Sequence, residues 1–221
     1  MIEFRQPSKH GFGSGMLSVD CSQFAISIPK NASSFMVDWA GRHGWTSATV
    51  GDSCDWHRVQ EVVVLLRDPL SRWISGVAQY LSGHVLNVSN AYTSDLGPKS
   101  EDQQMSANDF VKNYNPVVER LIFDQLSELD DHVWPQTRFL DILPTVPKKH
   151  FVINNKLTQQ LSQYLGFEIV DNLDINQGSA DPEVEKLQSF IQLRLNTRPE
   201  LIQRVKYRYQ QDYEYIKNHV N

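Results

Sequence analysis

The chain has 221 residues, enough for a buried core and close to one domain at roughly 150 residues per domain. Its 21 basic and 26 acidic side chains leave a net charge of −5, which argues against a general nucleic-acid binder and leaves room only for a local basic pocket suited to a small anion. A hydrophobic content of 40% with 21% charged residues excludes a disordered chain.

Residues 1–22 form an N-terminal lead-in. Pro7 to Gly15 contains Gly11, Gly13 and Gly15, an alternation like half of a dinucleotide fingerprint. No apolar strand precedes it, so it reads as a flexible loop. Met1 to Pro7 has no signal-like apolar stretch, and no run approaches the roughly 18 apolar residues that span a bilayer. Cys21 and Cys54 are too few for a disulfide framework or a cysteine-built zinc site, and read as reduced thiols. These features predict a cytoplasmic protein with no membrane partner.

Phe24 to Ile28 is a short apolar run closed by Pro29 and reads as a buried strand. Lys30-Asn31-Ala32-Ser33-Ser34 follows, then a helical pattern with Phe35, Met36, Trp39 and Ala40 on one side. Helix and strand signals both fade from Gly41 to Trp56. Glu61 to Leu66 is the strongest strand, β-branched and continuously apolar, as a strand covered on both faces should be. Arg67-Asp68-Pro69 closes it, and Leu70, Trp73, Ile74, Val77, Ala78 and Leu81 mark the next helix.

Residues 82–106 are polar and read as an acceptor-side loop. Asn115-Pro116 offers a cap followed by proline at the first helical position, with Val118, Leu121, Ile122, Leu126 and Leu129 on the apolar face. Phe151-Val152-Ile153 predicts a strand, and Leu157, Leu161 and Leu165 a helix ending near Gly166. Asp181-Pro182 starts another helix with Val184, Leu187, Phe190 and Ile191 inward. One last helix runs from about Pro199, with Ile202, Val205, Tyr209, Tyr213 and Ile216 on one side. Trp39, Trp73, Tyr209 and Tyr213 read as core. Apolar strands alternating with amphipathic helices predict a single α/β domain over 1–221, a three-layer sandwich with a mostly parallel sheet. Ligands of such sheets sit beyond the carboxyl ends of the strands, where Lys30 and Arg67 both fall.

Around Lys30 a buried strand ends, small and hydroxylic residues follow, and a helix begins. Unpaired N–H groups and the positive end of the helix dipole favour an anion there. Lys30 adds a full charge, and Ser33 and Ser34 add hydroxyl donors. The loop lacks GxxxxGK[ST], which disfavours an ordinary ATP or GTP site. Arg67, at the second strand end, suits a forked bond to a phosphate, with Ser75 donating from the following helix. Arg72 is a second cation, with an outward direction left open. Two anion sites at adjacent strand ends suit a nucleotide with two separated phosphates.

Pro29-Lys30-Asn31-Ala32-Ser33-Ser34 resembles the 5′-phosphosulfate motif of sulfotransferases that use 3′-phosphoadenosine-5′-phosphosulfate (PAPS), and Arg67-Asp68-Pro69-x-x-Arg72-x-x-Ser75 resembles their 3′-phosphate motif. The resemblance is nearest to carbohydrate sulfotransferases of the heparan and chondroitin type and their bacterial relatives. His132-Val133-Trp134-Pro135-Gln136 and Tyr209-Gln210-Gln211-Asp212-Tyr213 resemble further segments of that group. The group's Golgi members carry a membrane anchor and lumenal disulfides, patterns this sequence does not show.

The resemblance implies a P-loop-like fold and transfer of a sulfuryl group from PAPS to an acceptor hydroxyl, a carbohydrate by analogy, without a metal. It implies that Lys30 contacts the bridging oxygen, that Asn31, Ala32, Ser33 and Ser34 bind the 5′-phosphate, and that Arg67 and Ser75 bind the 3′-phosphate. The product is 3′,5′-ADP. Of the seven histidines, His57 lies ten residues before Arg67, about 30 Å away along a strand, at the wrong sheet edge. His150 likewise precedes its strand, and His219 is near the terminus. His132 is the first candidate for the base that takes the acceptor proton, with His43 and His84 in reserve and Asp131 or Glu128 as carboxylate substitutes. The competing readings are a phosphate-loop kinase acting on a small molecule and a non-catalytic nucleotide-binding module.

Overall fold

The computed structural model describes residues 13–51, 55–82, 106–126, 131–169 and 182–220. Five strands hydrogen-bond into one sheet: β1 (Ser14–Leu17), β2 (Gln23–Ile26), β3 (Thr46–Thr49), β4 (Glu61–Leu66) and β5 (Lys148–Val152). Their spatial order is β3-β1-β2-β4-β5. The β2–β4 and β4–β5 ladders are parallel, and the two ladders made by β1 are antiparallel. The sheet is therefore mixed. β1 alone runs against the other four strands, so half of the ladders depart from the expected parallel pattern.

β1 corrects the loop reading at Ser14 and Gly15, while residues 7–12 of that segment lie outside the described residues. Gly15 pairs with Ile26 on one side and Ala48 on the other. A Cβ built on Gly15 would lie 2.3 Å from the Ala25 carbonyl oxygen and 2.5 Å from the Phe24 ring. The glycine is there for a close approach to β2, the usual meaning of glycine inside a strand. β3 lies where sequence signals fade, because only Ala48 of its four residues is buried.

Nine α-helices are described: α1 (Ser33–Arg42), α2 (Pro69–Tyr80), α3 (Ala107–Lys112), α4 (Pro116–Arg120), α5 (Gln136–Leu140), α6 (Leu157–Leu165), α7 (Pro182–Thr197), α8 (Pro199–Arg208) and α9 (Gln210–His219). The Asn115-Pro116 signal works as read: Asn115 Oδ1 accepts from the Val117 and Val118 amides at 2.9 and 3.2 Å. α4 then widens into a π-helical stretch over Leu121–Gln125. The single C-terminal helix is corrected to two, α8 and α9, with Tyr209 out of helical conformation between them (φ −102°, ψ 21°).

The chain divides into two compact units, the first holding the sheet with α1, α5, α6 and α9, and the second holding α2 from Leu70 onward, α3, α4, α7 and α8. In the first unit, Met16, Ala25, Val63, Leu65 and Phe151 face Phe35, Met36, Trp39 and Ala40 of α1 and Leu157 and Leu161 of α6. Strand residues of opposite parity point to the other face, where His150 meets Tyr215 of α9. Each large apolar side chain buried this way contributes about 1.5–3 kcal/mol. In the second unit Trp73 packs on Phe123 with ring centroids 5.0 Å apart, and Val184, Leu187, Ile191 and Leu195 form the buried stripe of α7. Its buried Glu119 is held by Arg194 at 2.7 Å and by Arg198. No helix among the described residues is long and apolar enough to cross a membrane.

Gly15→Ala tests the close approach. Overpacking against a backbone carbonyl costs about 1–3 kcal/mol, so the urea midpoint of the variant falls with an unchanged denaturant slope. An unaltered midpoint would show that the two strands are not held this tightly.

Candidate functional site

Parallel pairing puts the carboxyl ends of β2 and β4 side by side, and the first unit's polar cluster is built there. The β2–β4 register runs from Gln23↔Glu61 to Ala25↔Val63. Beyond it the chain turns away, with the Asn31 amide donating to the Ile28 carbonyl at 3.0 Å. Asn31 itself is buried, at 2% exposure. Its side-chain Nδ2 donates to the Leu65 carbonyl of β4 at 2.8 Å, taking over where the backbone ladder stops. The same Nδ2 donates to Gln136 Oε1. These two acceptors fix the amide's orientation, and Asn31 Oδ1 is left buried with no hydrogen-bond partner among the described residues.

The loop between β2 and α1 is strained. Lys30 (φ 65°) and Ala32 (φ 54°) both occupy the left-handed region without being glycine, at about 1–2 kcal/mol each. Ala32 is the N-cap of α1, and no side chain caps that end. The first turn of α1 contains no acidic residue, so no carboxylate of its own answers its N–H groups and dipole. Ser33 is half-buried and Ser34 exposed.

Arg67 follows the last residue of β4. Its Nη1 donates to the Lys30 carbonyl at 3.2 Å, so the structure brings Lys30, Asn31 and Arg67 together. Burial lowers the Arg67 guanidinium below its usual value, and neighbouring Asp68 pulls it back up. The Arg67 backbone is held by a side chain the sequence analysis did not single out. Gln136 Oε1 accepts from the Arg67 amide at 3.0 Å, and Gln136 Nε2 donates to the Arg67 carbonyl at 2.9 Å. Gln136 is 1% exposed and opens α5. Asp212, also 1% exposed, sits over the start of that helix. Its carboxylate accepts from the Gln136 amide at 2.8 Å and from the Thr137 amide and hydroxyl, both at 3.0 Å. Gln136 and Asp212 each lie in one of the two further segments of the family resemblance, which is the signal the sequence offered for them.

The other sequence candidates are placed differently. Ser75 is half-buried in α2 and belongs to the second unit. Arg72 does not point outward: it is 1% exposed and its guanidinium donates to the Trp134 and Asp131 carbonyls, making it a strut of the second unit. His132, also in that unit, lies in a 3-10 turn over Asp131–Val133, and Gly76 lets α2 pass against it, since a Cβ there would be 2.3 Å from the His132 carbonyl oxygen. His132 Nδ1 is 3.2 Å from Asp131 Oδ1. The hydrogen bond from His132 outweighs burial and holds the Asp131 carboxyl below its usual range.

His43 lies past the far end of α1, about 15 Å from the Lys30 loop at 1.5 Å per residue. Its Nδ1 bonds the Trp39 carbonyl at 2.7 Å and its ring stacks on Phe167. His57 is exposed ahead of β4. His150 is inside β5 rather than before it, with Nε2 2.8 Å from Tyr215 Oη. His10, His84, Glu128, Cys54 and residues 83–105 of the polar loop lie outside the described residues. Trp39, Trp73 and Tyr209 are core, as read, and Cys21 is a free thiol. Among the described residues no group of three or more metal-ligating side chains occurs.

No family model, no curated protein and no solved structure matches the chain.

Burial lowers His150 from 6.5 to about 4, helped by His219, Lys148 and Lys149. The unfolded chain therefore takes up this proton first as pH falls. Stability is intact above about pH 6.5 and declines as pH drops toward 4. His150→Gln removes this part of the slope, measurable as a flatter dependence of the melting temperature on pH. An equally steep profile in the variant would place the titration elsewhere.

Proposed function

We propose that the chain is a sulfotransferase that uses PAPS, with the donor's two phosphate groups taken at the two strand tips. The observation that carries this reading is the Arg67–Lys30 contact: two cation-bearing strand ends, adjacent and parallel, tied by a hydrogen bond of 3.2 Å. One strongly charged residue at a strand end is common, whereas a lysine beside an uncapped ten-residue helix and an arginine on the neighbouring strand fit a ligand with separated anionic groups. The resemblance of both segments to the sulfotransferase phosphate motifs supports the same choice.

In this reading the 5′-phosphosulfate lies on Lys30, Asn31, Ala32, Ser33 and Ser34, and the 3′-phosphate on Arg67. The acceptor oxygen attacks sulfur as the bond from sulfur to the bridging oxygen breaks. The electron pair leaves with the 5′-phosphate of 3′,5′-ADP, and Lys30 offsets the charge that develops there. The acceptor proton goes to a base. The acceptor class, a carbohydrate hydroxyl, rests on the resemblance alone.

The test is ligand-induced stabilisation followed by transfer assays. A nucleotide present at 100 times its Kd adds about 2.7 kcal/mol of stability, so 3′,5′-ADP and PAPS raise the melting temperature by several degrees while ATP and GTP do not. Arg67→Ala weakens 3′,5′-ADP binding about 10- to 100-fold, the loss typical of one charge-assisted contact. Lys30→Ala keeps most of the binding and lowers kcat about 100- to 1000-fold. An equal response to ATP with magnesium-dependent turnover would replace this reading with a phosphate-loop kinase. Binding of 3′,5′-ADP with no transfer to any hydroxyl acceptor would leave a nucleotide-binding module.

A further inference from the structure

We propose that Gln136 is a positioning residue that sets the two phosphate-binding tips in register, with Asp212 holding Gln136 in place. The inference rests on the reading of those tips as a donor-nucleotide site and concerns the spacing between them rather than contact with the ligand.

Three observations carry it. First, the Gln136 side-chain amide uses its donor and its acceptor on the backbone of one residue, Arg67, in the way a neighbouring strand would. Second, the same Oε1 receives the Asn31 amide from the other tip. One buried group thus joins the residue that carries one cation to the residue that follows the other. Third, Gln136 is not free to shift. Its own backbone N–H and that of Thr137 end on the Asp212 carboxylate, which supplies the N-terminal cap that Pro135 does not. Gln136 and Asp212 are each 1% exposed, and their side chains are spent on these bonds. Their role is therefore to hold Arg67 and Asn31.

The consequence is specific to ligands that occupy both tips. When two anionic groups of one molecule bind together, the second association is intramolecular and its gain depends on the spacing matching the ligand. A misplaced Arg67 costs a bisphosphate this gain, whereas a monophosphate seated on the Lys30 loop does not depend on it, because Asn31 keeps its bonds to the Leu65 and Ile28 carbonyls when Gln136 is replaced. A general loss of folding would weaken both ligands alike, so the ratio of the two affinities separates positioning from mere structural support.

The experiment is calorimetric titration of 3′,5′-ADP and 5′-AMP into the full chain and into Gln136→Met, which keeps length and removes both hydrogen-bonding groups. In the unsubstituted chain 3′,5′-ADP binds about 100-fold more tightly than 5′-AMP. In Gln136→Met the 3′,5′-ADP affinity falls at least about tenfold, 5′-AMP changes by less than about threefold, and the ratio collapses accordingly. Gln136→Asn, one methylene shorter but still polar, provides the same comparison if the methionine variant does not fold, and Asp212→Asn shows the same direction with a smaller drop. A folded variant that keeps the full ratio, or one that loses both ligands equally, overturns the positioning role. Failure of the unsubstituted chain to bind 3′,5′-ADP overturns the donor-site reading itself, and this inference with it, a result visible before any variant is made.

Discussion

A single buried amide does the work of a missing strand. Where β4 ends, the backbone N–H and C=O of Arg67 must find partners, because leaving such groups unpaired in a buried setting costs about 1–3 kcal/mol apiece. Gln136 answers both at once and reaches across to Asn31 with the same oxygen. The Arg67 guanidinium therefore projects from a backbone fixed on both sides, by the β4–β5 ladder and by this side chain. Its one bond to the Lys30 carbonyl then spans a short, determined gap.

That amide is in turn held from elsewhere in the chain. A helix that opens after proline, as α5 does, has no capping side chain of its own. Asp212, 76 residues beyond Gln136, provides the carboxylate. Four stretches of sequence thus meet in one hydrogen-bonded line: the loop after β2, the end of β4, the start of α5 and the first turn of α9. α9 is anchored again by Tyr215, whose hydroxyl bonds His150 of β5. Buried polar lines of this kind are stabilising only when every member is satisfied. The exception here is Asn31 Oδ1, which is buried with no hydrogen-bond partner among the described residues.

Conformational strain falls in the same place. Two non-glycine residues in left-handed geometry and an uncapped helix end are a local cost, and a fold retains such costs where surrounding contacts over-determine the backbone. Asn31, pinned between Lys30 and Ala32 by Leu65, Gln136 and the Ile28 turn, supplies that over-determination. The resulting loop sets a helix start without a capping side chain beside Lys30 and within reach of the Arg67 guanidinium, an arrangement whose electrostatics favour an anion.

Much of this was legible residue by residue. β4 was plain from five consecutive apolar side chains, β2 from its apolar run before Pro29, and α6 from leucines spaced four apart ahead of Gly166. The Asn115 cap was read from two residues. What escaped were elements whose reason lies in another part of the chain. β1 and β3 are four residues long, and Gly15 is a strand residue through pairing with Ile26 and Ala48, while Phe24 and Ala25 leave room there only for glycine. The break at Tyr209 replaces one helix by two, and the buried position then falls on Asp212 rather than on Tyr213. Arg72, whose direction the sequence leaves open, is a buried strut.

Local chemistry determined the identity of the strand ends, because apolar runs, proline stops and helix starts act over a few residues. Lys30 and Arg67 were therefore visible as cations just past two strands. Whether those strands were neighbours, and what fixed the distance between their tips, depended on pairing and on bonds between residues 69 to 105 positions apart. No periodicity in a sequence carries that information. The tertiary fold decided it, by placing a side-chain amide that pairs with the Arg67 backbone and the Asn31 side chain where β4 runs out of strand partners.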